Sequence, residues 1–182
     1  PVQVLWSPAG TSLPSLGDRS LVDVTDGDTP NIRMPIRMLS VDTPEVTAKT
    51  PTGAAAVDEK FAQLAEWIDQ GRAPISAGLA AHLHPRLATG RAGTLQFEQG
   101  KQASAFAKQN IDTRLSRPNG SRRNLFLRVT DTPFDANGRL LAYIAPNYSA
   151  KERESLSRAE RATFNLDLLA AGWAAPFVIF PS

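Results

Sequence analysis

Apolar positions along the chain follow two periods. Val57, Phe61, Leu64, Trp67 and Ile68 recur at i, i+4, i+7, i+10 and i+11, which gathers them on one face of a helix over 54–70, and Gly71 stands where that helix should stop. A second helix is predicted from Gln99 to Leu115, with Ala103, Phe106, Ala107 and Ile111 on one side and Pro118-Asn119-Gly120 as the breaker beyond it. Ser149 and Glu152 have capping-box spacing at the start of a polar, charge-alternating helix over Ala150 to Ala162, after which Phe164, Leu168 and Leu169 resume an apolar face up to Gly172. The Gly-, Ala- and Pro-rich stretch 72–97 reads as loop with a short helix near 77–88. Strand signals lie elsewhere. Ser20–Val24 stops at Asp26-Gly27-Asp28, and a run from Ile32 to Val41 closes at Asp42-Thr43-Pro44, because proline cannot donate to a ladder. Leu125–Val129 and Leu140–Ile144 form a hairpin across the loop from Asp131 to Gly138. Strands grouped beside helices, without β-α alternation, predict an α+β fold.

The 182 residues fit a single domain, and 42% hydrophobic with 21% charged residues is enough for a packed core. No run approaches the roughly 18 apolar residues of a membrane helix, so no membrane partner is expected. The chain starts at Pro1 and not at Met, which reads as a processed or trimmed product and leaves the compartment open. Without cysteine there is no disulfide, thiolate zinc site or cysteine nucleophile, so chemistry falls to carboxylates, hydroxyls, histidine and cations.

The net charge of +2 hides an asymmetry. Residues 1–45 set Arg19, Arg33 and Arg37 against Asp18, Asp23, Asp26, Asp28, Asp42 and Glu45. Between 101 and 139, Lys101, Lys108, Arg114, Arg117, Arg122, Arg123, Arg128 and Arg139 face only Asp112, Asp131 and Asp135. Carboxylates that hold a cation and arginines that hold phosphates would give this pattern in a metal-dependent site for a polyanion, and an unevenly charged solvated surface would give it too.

Three short pieces carry the candidate chemistry: Asp26-Gly27-Asp28-Thr29, Arg37-Met38-Leu39-Ser40-Val41-Asp42-Thr43-Pro44-Glu45, and Asn137-Gly138-Arg139. With Ala103-Ser104-Ala105-Phe106, Gly138-Arg139-Leu140-Leu141-Ala142-Tyr143-Ile144 and Phe164-Asn165-Leu166-Asp167-Leu168-Leu169, they make the chain resemble the staphylococcal nuclease (thermonuclease) family over Leu21–Glu45 and Gly100 to about Gly172. The resemblance implies an OB-like five-stranded β-barrel with flanking helices, and a nuclease that cleaves DNA and RNA with little sequence preference. It assigns one calcium ion to Asp28, Asp42 and the Thr43 carbonyl. Glu45 is then the glutamate facing the attacking water, and Arg37 and Arg139 grip the scissile phosphate. The donors suit that ion, since calcium takes 6 to 8 oxygens, and the planar arginine fork suits phosphate better than a lysine point charge. In an unbroken strand Arg37 and Asp42 would face opposite ways, so a shared site needs a bend or break before Asp42.

The chain also departs from that family. Seven residues separate Thr29 from Arg37, which shortens a hairpin there, and Asn137 and Phe177-Val178-Ile179-Phe180 stand where the family has aromatic and tyrosine-bearing segments near the base. Residues 46–99 form an insertion predicted to be helical, within one nuclease-like domain over 1–182; a cap on the active-site groove and a stability element elsewhere are both open. His82 and His84 would face one way on a strand, but with no acidic residue over 70–97 they make a poor metal pair. Trp6, Trp67 and Trp173 read as core or interface anchors. The rival reading is a catalytically silent nuclease-like module that binds nucleic acid or protein. Such modules typically lose one or more of the six site positions, and all six are kept here. The resemblance favours a secreted or periplasmic location, and no obligate protein partner is evident.

Overall fold

A computed structural model describes residues 17–46 and 50–178. Trp6, Ile179 and Phe180, and the first residues of the insertion after Val46, lie outside this range. Among the described residues the chain is a mixed α+β structure of five helices and three small sheets. It falls into two compact units, one built from 17–39 and 128–143, the other from 40–127 and 144–178.

The first unit holds β1 (Leu21–Val24) and β2 (Pro30–Ile32), an antiparallel pair with a register shift between Leu21 and Asp23. The Asp-Gly-Asp signal makes the turn between them: Thr25 N–H donates to the Thr29 carbonyl at 3.0 Å and Thr29 N–H to the Asp26 carbonyl at 3.2 Å. Next, β3 (Ile36–Met38) runs parallel to β6 (Leu140–Pro146), pairing Ile36 with Leu140, Arg37 with Leu141 and Met38 with Ala142. β6 is the middle strand, with β5 (Leu125–Phe134) on its other side. Leu39 and Ala142 are buried, and Leu39 N–H donates to the Ala142 carbonyl at 3.1 Å.

The single run expected from Ile32 to Val41 is thus divided into β2, β3 and β4 (Val41–Asp42). Pro35 interrupts it once, since it has no N–H to give a ladder. Ser40 interrupts it again with φ at +60°, a left-handed conformation that turns the chain between β3 and β4. The chain therefore does break before Asp42.

In the second unit, α1 (Pro51–Asp69), α2 (Ala77–Leu87) and α3 (Ala92–Leu115) pack in sequence, with α1 against both of the others. Thr50 caps α1 with Pro51 in its first turn, so the helix starts earlier than the apolar stripe suggests. α3 starts seven residues before the expected Gln99 because its cap comes from another helix: the Asp58 carboxylate on α1 accepts from Thr94 N–H at 2.8 Å and from the Thr94 hydroxyl at 2.5 Å. These bonds, the Thr94 hydroxyl first, hold the Asp58 carboxyl below its ordinary value. The expected 150–162 helix is only α4 (Ala150–Ser155), with the Ser149/Glu152 capping box present. A second reciprocal Ser157/Glu160 pair restarts a separate turn and so ends α4. Then α5 (Phe164–Ala170), capped by Thr163, packs on α3, and β7 (Ala175–Pro176) pairs antiparallel with β4. The core of this unit is Val41, Ala54, Ala65, Phe97, Ala103, Leu115, Ile144, Phe164 and Leu168. Asn165 is buried among them at 2% exposure, where its Oδ1 accepts the Ile144 N–H at 3.1 Å.

Candidate active site

The six candidate residues divide evenly between the units. Asp28, Arg37 and Arg139 belong to the first, and Asp42, Thr43 and Glu45 to the second.

In the first unit, Asp28 sits exposed in the β1–β2 turn and accepts the Thr29 hydroxyl at 3.1 Å. Two residues earlier, the Asp26 carboxyl is held below its ordinary value by the Thr29 side chain first and the Asp28 side chain next. Arg37 is half-buried at the centre of β3. Its partner across the ladder is Leu141, and Arg139 lies two residues before Leu141. Arg139 itself stands just outside β6, one residue before Leu140 and one after the Gly138 turn.

Arg139 is held in detail. Its Nε donates to Asp135 Oδ2 at 2.7 Å, and Nη2 pairs with the same oxygen at 2.7 Å. Asp135 Oδ1 accepts the main-chain N–H groups of Asn137 and Arg139, both at 2.9 Å. Desolvation pushes the Asp135 carboxyl up, but the Arg139 main chain and guanidinium with the Asn137 N–H outweigh it, and the net shift is downward. The turn needs Gly138, whose φ is +69° and whose N–H donates to the Asp135 carbonyl at 2.9 Å. Arg19 in turn donates to the Gly138 carbonyl. Asp135 is a residue the motif reading missed, because its pairing with Arg139 across a turn shows only in the folded chain.

In the second unit, β4 delivers Asp42, half-buried and opposite Ala175 in β7. Asp42, Thr43 and Pro44 form one wall of an open recess of about 420 Å³, and Gly172, Trp173, Ala174 and Ala175 form the other. Glu45 follows, exposed, on a loop that α3 supports from below. Gly100 makes that support close: a methyl group there would lie 2.6 Å from the Pro44 carbonyl oxygen, 2.8 Å from Val46 Cγ2 and 3.2 Å from the Glu45 carbonyl carbon. Gly100 marked only a boundary in the sequence, and its role as a contact point was not legible there.

The basic stretch 101–139 is largely committed to internal partners. Arg114 pairs with Asp167, donates to the Glu160 and Ala162 carbonyls at 2.8 Å each and stacks on Phe164. Arg123 pairs with Glu152 at 2.7 Å and lies over Tyr148, while Arg122 pairs with Asp112 at 2.6 Å. Glu152 is held down to about 2, by the Ser149 main-chain N–H first and the Arg123 guanidinium second. Arg114 ties α3 to α5, and Arg123 ties the end of α3 to α4, within the second unit. His82 and His84 lie on α2, where a spacing of two does not put them on one face; His84 pairs instead with Asp69 at 3.0 Å. Trp173 lies beside Phe106, with ring centroids 6.4 Å apart, in keeping with an anchoring role.

Among the described residues, no group of three or more His, Asp and Glu side chains gathers as a metal cluster. No helix is long and apolar enough to cross a membrane among them. No protein-family model matches the chain, and no curated protein matches it significantly.

Proposed function

We propose that this protein is a calcium-dependent nuclease that hydrolyses phosphodiester bonds of DNA and RNA with little sequence preference, on an OB-like barrel to which 46–99 adds a helical insertion. The observation that supports this reading is that the first unit holds Arg37 at the centre of β3 and Arg139 immediately before its partner strand β6, with Arg139 fixed by Asp135. Two planar arginine forks suit the oxygens of a single phosphate, where they stabilise the extra negative charge that develops as phosphorus becomes five-coordinate.

Asp28, Asp42 and the Thr43 carbonyl would hold the ion. The donor set fits a hard cation, since all three are oxygens, and water completes the shell of a site with only two carboxylates. When bound, calcium supplies charge that polarises the phosphate and lowers the pKa of nearby water. The protein's own residues do the rest. Glu45, exposed on its supported loop, takes or orients the proton of the attacking water, and Arg37 and Arg139 bind the phosphate oxygens and hold the substrate in line.

Digestion of plasmid DNA and of RNA with calcium, with magnesium and with excess EDTA tests the reading. Cleavage of both polymers in calcium, abolished by EDTA, is the expected result. Binding of nucleic acid without cleavage under every condition would instead establish the silent module.

A further inference from the structure

We propose that Asp135 is a positioning residue for Arg139, which it holds so that one defined edge of the guanidinium meets the phosphate. The inference rests on the reading of Arg139 as a phosphate-gripping arginine.

A guanidinium carries five N–H donors in one plane, grouped along two edges. Asp135 Oδ2 occupies the side edge, with Nε and Nη2 both at 2.7 Å. The end edge, made by Nη1 and Nη2, is the one this pairing leaves for a second anion. Asp135 cannot turn away easily, because Oδ1 is fixed at 2.9 Å by the Asn137 and Arg139 main-chain N–H groups and the side chain is 18% exposed. The same carboxylate therefore closes the 135–139 turn with one oxygen and aims the fork with the other. An Arg139 without that partner would sample several rotamers, and ordering it would then cost free energy at the moment of reaction.

Asp135→Asn separates the two jobs. An asparagine carbonyl oxygen still accepts both main-chain N–H groups, as Asn commonly does in such turns, but its amide then sets N–H donors against the Nε and Nη2 donors of Arg139. In calcium, on a single-stranded oligonucleotide, D135N should keep the wild-type Tm within a few degrees. Its kcat should fall by roughly 10- to 100-fold with KM changed by less than about 3-fold. The double variant D135N/R139K should be no slower than R139K alone, since an effect that acts through Arg139 disappears with it. If D135N folds poorly, Asp135→Ser, whose hydroxyl can close an ST turn, takes its place with the same expected result.

Wild-type kcat in these variants, or losses that multiply in the double variant, would overturn the proposal. Should the wild-type protein cleave nothing, the nuclease reading fails while the pairing is still decided by ¹⁵N NMR. A slowly exchanging Arg139 Nε–H resonance, assigned with R139K and shifted or lost in D135N, supports the positioning role, and a resonance indifferent to D135N rejects it.

Discussion

Substituting Gly100 by alanine sets two calculable effects against each other. In a helix interior alanine is preferred over glycine by about 1 kcal/mol, so at an open site the change would stabilise. At Gly100 the new methyl group would approach the Pro44 carbonyl oxygen to 2.6 Å, about 0.8 Å short of even the closest ordinary contact, and Val46 Cγ2 to 2.8 Å. The first of these obstacles is backbone, so either α3 or the loop carrying Glu45 must move. Overpacking of this kind costs about 1–3 kcal/mol, which leaves a net loss of about 0–2 kcal/mol after the helix gain. At roughly 2–4 °C per kcal/mol for a chain of this size, Tm should fall by up to about 8 °C. A displacement of that scale beside Glu45 should lower kcat by about 10- to 100-fold, since misplacement by ~1 Å can cost 10². The assay pairs thermal unfolding with initial rates on a calcium-loaded oligonucleotide digest. Gly78→Ala in α2 is the control, because a methyl group there meets nothing within 4 Å and should leave stability equal or slightly raised. If G100A is more stable than wild type and just as active, α3 does not closely support the Glu45 loop.

Glu45→Gln keeps shape but removes the base, and should lower kcat by at least ~10² while a nucleotide inhibitor still binds; Arg139→Lys should be comparably severe, because a point charge does not replace the fork. Wild-type digestion rates for both would refute the site assignment. Asn165→Ala strands the buried Ile144 N–H and should destabilise by about 1–3 kcal/mol, read from denaturant midpoints at constant m-value. The Glu152 carboxyl, ordinarily near 4.5 and held down to about 2, binds its proton more readily in the unfolded chain. Its contribution is therefore complete above about pH 4.5 and is lost as pH falls toward 2. A Tm-versus-pH profile should accordingly be flatter for Glu152→Gln than for wild type between those limits, and equal slopes would remove Glu152 from the acid response.

The elements most legible in the sequence are those whose signals are local. The Val57 to Ile68 stripe, the Ser149/Glu152 box and the Asp26-Gly27-Asp28 turn each fix their own segment, and each is where it was expected. The early start of α3 was hidden because Asp58, 36 positions from Thr94 in sequence, supplies its cap. The interruption at Ser40 was hidden because serine carries no strong preference for positive φ, so only the facing requirement on Arg37 and Asp42 called for a break. In the candidate site, residue types and order were readable from motifs, whereas Asp135 and Gly100 act through a paired charge and a close approach that appear only once the chain is folded. The basic stretch misleads in the opposite direction: Arg114 and Arg123 supply charge to part-buried carboxylates, so a count of cations overstates what faces a polyanion.

The most direct test is the initial rate of cleavage of a dinucleotide with one phosphodiester bond, measured in calcium, after excess EDTA, and after calcium is restored. Arg37→Ala and Arg139→Ala are run beside the wild type. The expected result is hydrolysis that calcium switches on, EDTA switches off and restored calcium recovers, with each arginine variant slower by ~10² or more. Full wild-type activity in excess EDTA, or arginine variants as fast as wild type, would contradict a calcium-dependent nuclease that uses Arg37 and Arg139.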